Sequence, residues 1–416
     1  QISIDEGKDF PIAARVVQND CYTDDVVSGA NDISSALELK NQLINLLHRG
    51  GMDLHKWSSN EQSLLENLPY EDQEYHFDIK NNVKTLGVIW NPNADLFEFS
   101  ISDITNLTNC TKRTVLSCIS RLFDPLGLLG PVIVKAKIFM QKLWLQKLDW
   151  DQALPDCKVK EWEKYSSSLL CVKDIKIDRC VTNGTVSSFE IHGFCDASQD
   201  AYGAAIYLRC KNELNQVTIN LLCSKSRIAP IKKLTIPRLE LLAAELMSKL
   251  LQKLLKALQM DIQSVYLWSD STITLAWIRT DPCLLKTFVS NRVSKIQEIT
   301  RLFKWGHVPS ESNPADLISR GVTADKISNS ELWWNGPSFL KTEDYKQFEH
   351  SPSSSDEYMV ELKKNSDLNF TVFEKNTFII DFLNKSNSYM KLIRILSFIF
   401  RFVRNAKNSA KKTTGP

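Results

Sequence analysis

The sequence predicts a multidomain chain of mixed α/β and α+β class, and three observations carry that expectation. Its 416 residues suffice for two to four domains, and a hydrophobic share of 43% can fill their cores. Short alternating or apolar runs such as IHGFCDA and VYLW take turns with stretches whose apolar residues recur every three or four positions, such as TIPRLELLAAELM. Breaks rich in Pro and Gly, FDPLGLLGP above all, and a Ser-rich stretch, EHSPSSSDEY, punctuate the blocks.

The first block holds DCYTDDVVSGA, with the adjacent acids Asp24 and Asp25 followed by Ser28 and Gly29. Neighbouring side chains of a strand face opposite ways, yet in a tight hairpin turn both can approach one site. Residues 31–48 set Leu37, Leu39, Leu43, Leu46 and Leu47 on one helical face, ended by Gly50 and Gly51. GMDLHKWSSN and VKTLGVIW then read as alternating strands. Between Thr111 and Leu154 two helical patterns flank a break enforced by Pro125, Gly127, Gly130 and Pro131. The second carries Ile133, Ala136, Phe139, Met140, Leu143 and Trp144 on its apolar face and Lys135, Lys137 and Lys142 on its polar one.

Four acids follow in a telling order. Asp196 ends an alternating strand before a tight return, Glu240 lies on an amphipathic helix, Asp270 ends the short apolar strand VYLW, and Asp316 opens a helix signalled by Asn313 and Pro314. Any one of them alone is more often a turn former or a helix cap than a chemical group. Acids so far apart in sequence converge only through tertiary folding, and clustered carboxylates repel unless cations neutralise them. Oxygen ligands of this number suit Mg²⁺ or Mn²⁺, and a pair of such ions is the usual device for in-line cleavage of a phosphodiester.

Composition narrows the rest. A net charge of +2 predicts no strong general attraction to nucleic acid, so any attraction must come from local patches. One such patch runs from Asn376 onward, with eight Lys or Arg against the single acid Asp381. Ten cysteines without a C-x-x-C pair argue against a zinc ribbon or redox dithiol. With no signal peptide they read as reduced thiols of a cytoplasmic or nuclear protein, and the N-x-S/T matches at Asn106 and Asn183 as coincidence. LWWNGPSFL offers two tryptophans able to face solvent. The closing apolar helix, SYMKLIRILSFIFRFVRNAKNSAKK, is interrupted by Lys391, Arg394, Arg401 and Arg404, which argues against a membrane span. The chain opens on Gln1, not Met, and is expected to be a piece of something longer.

The order strand Asp, helix Glu, strand Asp, helix Asp, with His307 shortly before the last, resembles the ribonuclease H domain of retroelements. FCDAS, TIPRLELLAA, WSDST, HVPSESNPADLISRG and LWWNGP resemble more closely the BEL/Pao long-terminal-repeat retrotransposons. The resemblance implies a truncated reverse transcriptase palm at 1–100, a thumb or connection at 101–175, and a ribonuclease H-like domain at 176–325. Residues 326–416 would be a linker and basic tail leading to an integrase or packing on a partner. It further implies a mixed five-stranded sheet over about 186–322, strands one to three antiparallel, with the Glu240 helix packed on it. Asp196, Glu240, Asp270 and Asp316 would hold two Mg²⁺ or Mn²⁺ ions, Asp270 being the most tightly fixed. His307 would assist water positioning or product release. The substrate would be an RNA·DNA hybrid, and the remaining partners the upstream polymerase and downstream integrase of a pol polyprotein.

Tyr22-Thr23-Asp24-Asp25 resembles the Y-x-D-D hairpin of reverse transcriptases, whose first Asp binds catalytic metal, and Lys56 would at most help pyrophosphate leave; a solvated strand residue explains Lys56 as well. No earlier carboxylate strand precedes Asp24, so no polymerase activity is expected from this chain. Two competitors remain. The Pao region also carries an aspartic peptidase label, but no D-[ST]-G triplet occurs, and Asp270-Ser271-Thr272 lacks the Gly. A non-catalytic, host-adopted nucleic-acid-binding remnant is the other.

Overall fold

The structure, a computed structural model, describes residues 1–69, 72–74, 83–85, 87–100, 110–182, 186–258, 260–342, 345, 356–363 and 381–407. The chain falls into two units, Gln1–Leu362 and Lys363–Pro416, and the boundaries expected after residues 100, 175 and 325 all lie inside the first.

The first unit opens with helices α1 (Ile2–Asp5) and α2 (Pro11–Asn19) and the hairpin of β1 (Cys21–Tyr22) and β2 (Asp25–Val26), with Tyr22 opposite Asp25. Helix α3 (Ile33–Arg49) starts where the Asp32 carboxylate accepts from the backbone N–H and hydroxyl of Ser35, satisfying a donor that the first helical turn leaves open. Leu39, Leu43 and Leu46 pack with Ala13 and Val16 of α2, and Val26 ties the hairpin to this cluster. The strand expected at GMDLHKWSSN does not form. Lys56 takes φ 58°, which breaks an extended run, and Trp57 makes only an isolated bridge to Gln73. VKTLGVIW does pair, as β3 (Val83–Thr85) and β4 (Val88–Asn91), which join β5 (Leu96–Glu98) and the distant β6 (Lys176–Asp178) in one antiparallel sheet.

Helix α4 (Lys112–Arg121) is capped by a reciprocal pair, Thr111 and Thr114. The FDPLGLLGP break turns on Gly127 at φ 75° and on Asp124, whose carboxylate accepts from the N–H groups of Leu128 and Leu129. Helix α5 (Gly130–Leu145) departs from the expected one-sided pattern. Val132, Val134, Ala136, Ile138, Phe139, Met140 and Leu143 are all buried, whereas Trp144 is 49% exposed. The helix is enclosed from several directions, and a single apolar stripe does not describe it. α6 (Asp156–Ser168) completes this group, its Trp162 stacked on Phe139.

The expected mixed five-stranded sheet is present. Strands β7 (Val186–Ala197), β8 (Ala201–Asn212), β9 (Val217–Ile228), β10 (Ser264–Ser269) and β11 (Lys304–His307) run in the order β11-β10-β7-β8-β9. β7, β8 and β9 are antiparallel neighbours, and β10 lies parallel to both β7 and β11. One face carries α7 (Ile236–Ala257), α8 (Thr272–Arg279) and α9 (Thr287–Thr300) over a core including Ile191, Leu208, Met247, Leu267 and Val293. The other face, with Phe194, Tyr207 and Trp268, shares its core with α4, α5 and α6 and with α10 (Ala315–Arg320), α11 (Ala324–Ser328) and α12 (Glu331–Asn335).

Residues just past 325, expected to begin a linker, instead continue the packed structure. Trp333 is fully buried and donates its indole N–H to the Leu128 carbonyl at 2.8 Å, while half-buried Trp334 donates to Ile327. An indole set among apolar groups is held inside once its N–H finds an acceptor. Farther on, α13 (Asp356–Val360) lies against α8, and Glu361 accepts from Arg238. Residues 349–355 of the Ser-rich linker lie outside the described residues. In the second unit, α14 (Tyr389–Lys407) bears the expected basic residues beside exposed Phe398, Phe400 and Phe402. No helix among the described residues is long and apolar enough to cross a membrane.

Candidate active site

Strand register brings the first and third acids to the same place. Ser269 of β10 lies beside Cys195 of β7, so Asp270 and Asp196, the next residues along, stand at the same end of parallel neighbours. β11 flanks β10 on its other side with His307 beside Ser269. Glu240 lies in the second turn of α7, which opens with Pro237 as a preset helical start. α10 hangs directly on β7: buried Asn313 donates from Nδ2 to the Cys195 carbonyl at 3.1 Å and accepts from the Ala315 N–H. Asp316 falls in the first turn of that helix.

The four carboxylates interact electrostatically. Burial raises Asp196, and the negative charges of Asp270, Asp316 and Glu240 raise it further against the lowering effect of the Ser319 hydroxyl, to about 7. Burial also raises Asp316, with Asp270 adding to the effect and Arg320 opposing it. The buried Cys195 thiol is pushed up by burial and then chiefly by Asp270. Asp196 is the most buried of the acids, at 5% exposure, whereas Asp270, expected to be the most tightly fixed, is half-buried. It stands just past the strand, where the chain turns into α8.

Protein donors engage Asp196, Asp270 and Asp316. Ser319 Oγ donates to Asp196 Oδ2, Ser310 Oγ donates to Asp270 Oδ2 at 2.7 Å, and Arg320 Nε pairs with Asp316 Oδ1 at 2.6 Å. The other oxygen of Asp270, Oδ1, is buried without a hydrogen-bond partner. Among the described residues no group of three or more His, Cys, Asp and Glu is arranged as a ready metal cluster. The donor set nonetheless fits a hard divalent cation. Its ligands are all oxygens, the raised proton affinity of Asp196 marks a shortage of counter-charge, and Asp270 Oδ1 is an unfilled acceptor. A cleft of about 330 Å³ lined by Thr235, Ile236, Pro237, Glu240, Asp270 and Ser271 opens beside these groups.

Ser319, Ser310 and Arg320 escaped the sequence reading. Their signal was faint: Ser319 and Arg320 lie three and four positions after Asp316, one helical turn away, where side chains share a face. Asp24 and Asp25 are not part of this site. They are exposed on the β1–β2 hairpin, whose core is separate, with Thr23 at φ 58° in the turn. Lys56 is exposed in irregular chain.

Residues 111–271 match the family described as Pao retrotransposon-like RNaseH-like domain. The match opens at the cap of α4 and closes one residue past Asp270, so it takes in α4–α6 and strands β7–β10 of the sheet, and stops before β11 and Asp316. No curated protein matches the chain. Among solved structures, LC11-RNase H1, isolated from compost by a metagenomic approach and crystallised with an RNA/DNA hybrid, is 19% identical over 32% of this chain and 93% of its own, with a TM-score of 0.23. The N-terminal RNase H domain of a Mycobacterium tuberculosis protein is 13% identical over 34% and 97%, with a TM-score of 0.22. The foamy viral protease-reverse transcriptase in complex with RNA/DNA hybrid is 14% identical over 55% of this chain and 29% of its own, with a TM-score of 0.33.

Proposed function

From the Pao retrotransposon-like RNaseH-like domain matched at residues 111–271, we propose that this protein cuts the RNA strand of RNA·DNA hybrids. The observation that carries the reading is that Asp196, buried at one end of the sheet, feels the charges of Asp270, Asp316 and Glu240, which add to burial in raising its carboxyl to about 7. Bound between these acids, two Mg²⁺ or Mn²⁺ ions would supply an activated water and charge stabilisation for the leaving 3′ oxygen. Asp196 and Asp270 set the spacing, because parallel neighbouring strands fix their Cα positions. Ser319 and Ser310 each hold one carboxylate oxygen and leave the other free for the site. His307, beside Ser269 at the end of β11, would orient a water or assist product release. The open cleft beside Glu240 suits a duplex held mainly through phosphates and 2′-hydroxyls.

The test is release of short RNA from a labelled hybrid in Mg²⁺ or Mn²⁺, with a chelator control and a peptide substrate alongside. Cleavage of peptide and not hybrid would overturn the reading. The peptidase alternative finds little support, since Asp270-Ser271-Thr272 leads directly into α8 and Ser271 is spent as its cap. For the N-terminal stretch, the same reading makes the Asp24–Asp25 hairpin and α3 the end of a polymerase palm and residues 101–175 its thumb or connection. The hairpin backed by α2 and α3 supports that assignment. The corresponding partners are the polymerase and integrase portions of a pol polyprotein.

A further inference from the structure

Four clustered acids repel the polyanion they are proposed to cut, so cations must stand nearby, and a net charge of +2 requires them to be concentrated. The edge strand β9 and the turn after it supply them. From 225 to 233 the sequence KSRIAPIKK holds Lys225, Arg227, Lys232 and Lys233 and no acid, and all four are exposed. None of the four pairs with a carboxylate of the described residues.

Register fixes where they lie. Asp196 of β7 is opposite Gly203 of β8, which is opposite Ser226 of β9, so the three form one row across the sheet. Lys225 and Arg227 flank that row two strands from Asp196, their backbones roughly 10 Å away at the usual strand spacing and their side chains, by alternation, on the opposite face, the one that carries α7 and Glu240. Lys232 and Lys233 follow in the turn that delivers Thr235, Ile236 and Pro237 to the cleft beside Glu240. The cations thus lead from the sheet edge to the mouth of the site. Their backbone is fixed: Ser224 N donates to the Leu126 carbonyl, Ala229 N to Asp200, and Gln141 Nε2 to the Ala229 carbonyl at 2.7 Å. A duplex presents about one phosphate charge per 1.7 Å of axis, so an edge about 10 Å from the reacting position meets several.

We propose that Lys225, Arg227, Lys232 and Lys233 form the edge that grips the phosphates of the hybrid and delivers it to the acids, a role that rests on the nuclease reading. Two pair variants test it, Lys225→Gln with Arg227→Gln and Lys232→Gln with Lys233→Gln. The control, Lys253→Gln with Lys256→Gln, removes the same charge from the far end of α7, about 20 Å from Glu240 along the helix.

Binding of a fluorescent RNA·DNA hybrid is measured by anisotropy in chelator, where no cutting complicates it, across a salt series. Each edge pair should weaken binding on the order of tenfold near 0.1 M salt and lower the slope of log affinity against log salt by up to about 2, while the control changes neither. In Mg²⁺, the edge pairs should raise KM and leave kcat within about twofold. Edge pairs that bind and cut like the control would overturn the proposal even with the parent active. A parent that binds but never cuts, with binding still lost in the edge pairs, would sink the nuclease reading and leave the phosphate-gripping edge standing.

Discussion

Arg209→Met should be among the most destabilising single changes on the sheet. Arg209 of β8 lies directly opposite Glu190 of β7; both are buried, at 1% and 8% exposure. Its Nη1 is 3.0 Å from Glu190 Oε2, its Nε donates to the Leu340 carbonyl at 2.8 Å, and its guanidinium lies 5.6 Å from the Tyr345 ring centre. Burial pushes the Glu190 carboxyl up, but the His192 imidazole 3.6 Å away, the hydrogen bond from the Tyr345 hydroxyl and the charge of Arg209 prevail and hold it down to about 2. A carboxylate depressed on folding contributes stability above its ordinary value of 4.5 and loses it as pH falls towards 2. At roughly 1.36 kcal/mol for each whole step of pKa, that contribution is about 3 kcal/mol. Removing one partner of a buried pair costs about 3–5 kcal/mol, because the other is left uncompensated. Urea unfolding at pH 7, followed by the fluorescence of buried Trp268 and Trp333, should show a loss of that size. The double variant with Glu190→Gln should recover most of it. A loss under about 1 kcal/mol, or a double variant no more stable than the single, would refute the reasoning.

Asp196→Asn should abolish hybrid cleavage yet raise the melting temperature in chelator, since an acid raised to about 7 weakens the fold as pH climbs from about 4 through 7; no gain at pH 8 would show that the four acids do not repel as described. His307→Ala should slow turnover without abolishing it and leave the melting temperature unchanged, read from the same cleavage assay and a thermal scan. Gly127→Ala should cost at least about 1–3 kcal/mol by denaturant titration, because φ is 75° and the new Cβ would lie 2.1 Å from the Ser224 carbonyl oxygen; a neutral result would mean that this turn can move.

The parts legible in the sequence were those written locally. Alternation marked β7, helical spacing marked α7, and Asn313-Pro314 marked the start of α10, so each acid could be placed on its element before any contact was known. The sequence could not show what each element meets. α5 read as one-sided, but its Val134 and Ile138 pack with Ala201 while Val132 and Phe139 join the main core, and only tertiary structure supplies two such neighbours. Trp333 read as surface material because nothing local announces that the Leu128 carbonyl, 205 residues earlier, will accept its N–H. Ser319 and Ser310 were hidden for the same reason, since a serine is marked as a carboxylate donor only by the acid it reaches. GMDLHKWSSN failed differently: left-handed residues at its start, Gly51, and in its middle, Lys56, interrupt an otherwise acceptable alternation.

The central claim, that the four-acid end of the sheet is a metal-dependent nuclease centre, is tested most directly by comparing the parent with Asp270→Asn on a labelled RNA·DNA hybrid in Mg²⁺. Asp270 is the acid to change because its Oδ1 is buried without a protein partner while Ser310 holds Oδ2, so an amide is accommodated without unfolding the strand end. The account predicts release of short RNA by the parent, none with chelator, and loss of several kcal/mol of transition-state stabilisation in the variant at an unchanged melting temperature. Equal cutting by parent and Asp270→Asn, or a folded parent that leaves the hybrid intact in both Mg²⁺ and Mn²⁺, would contradict it.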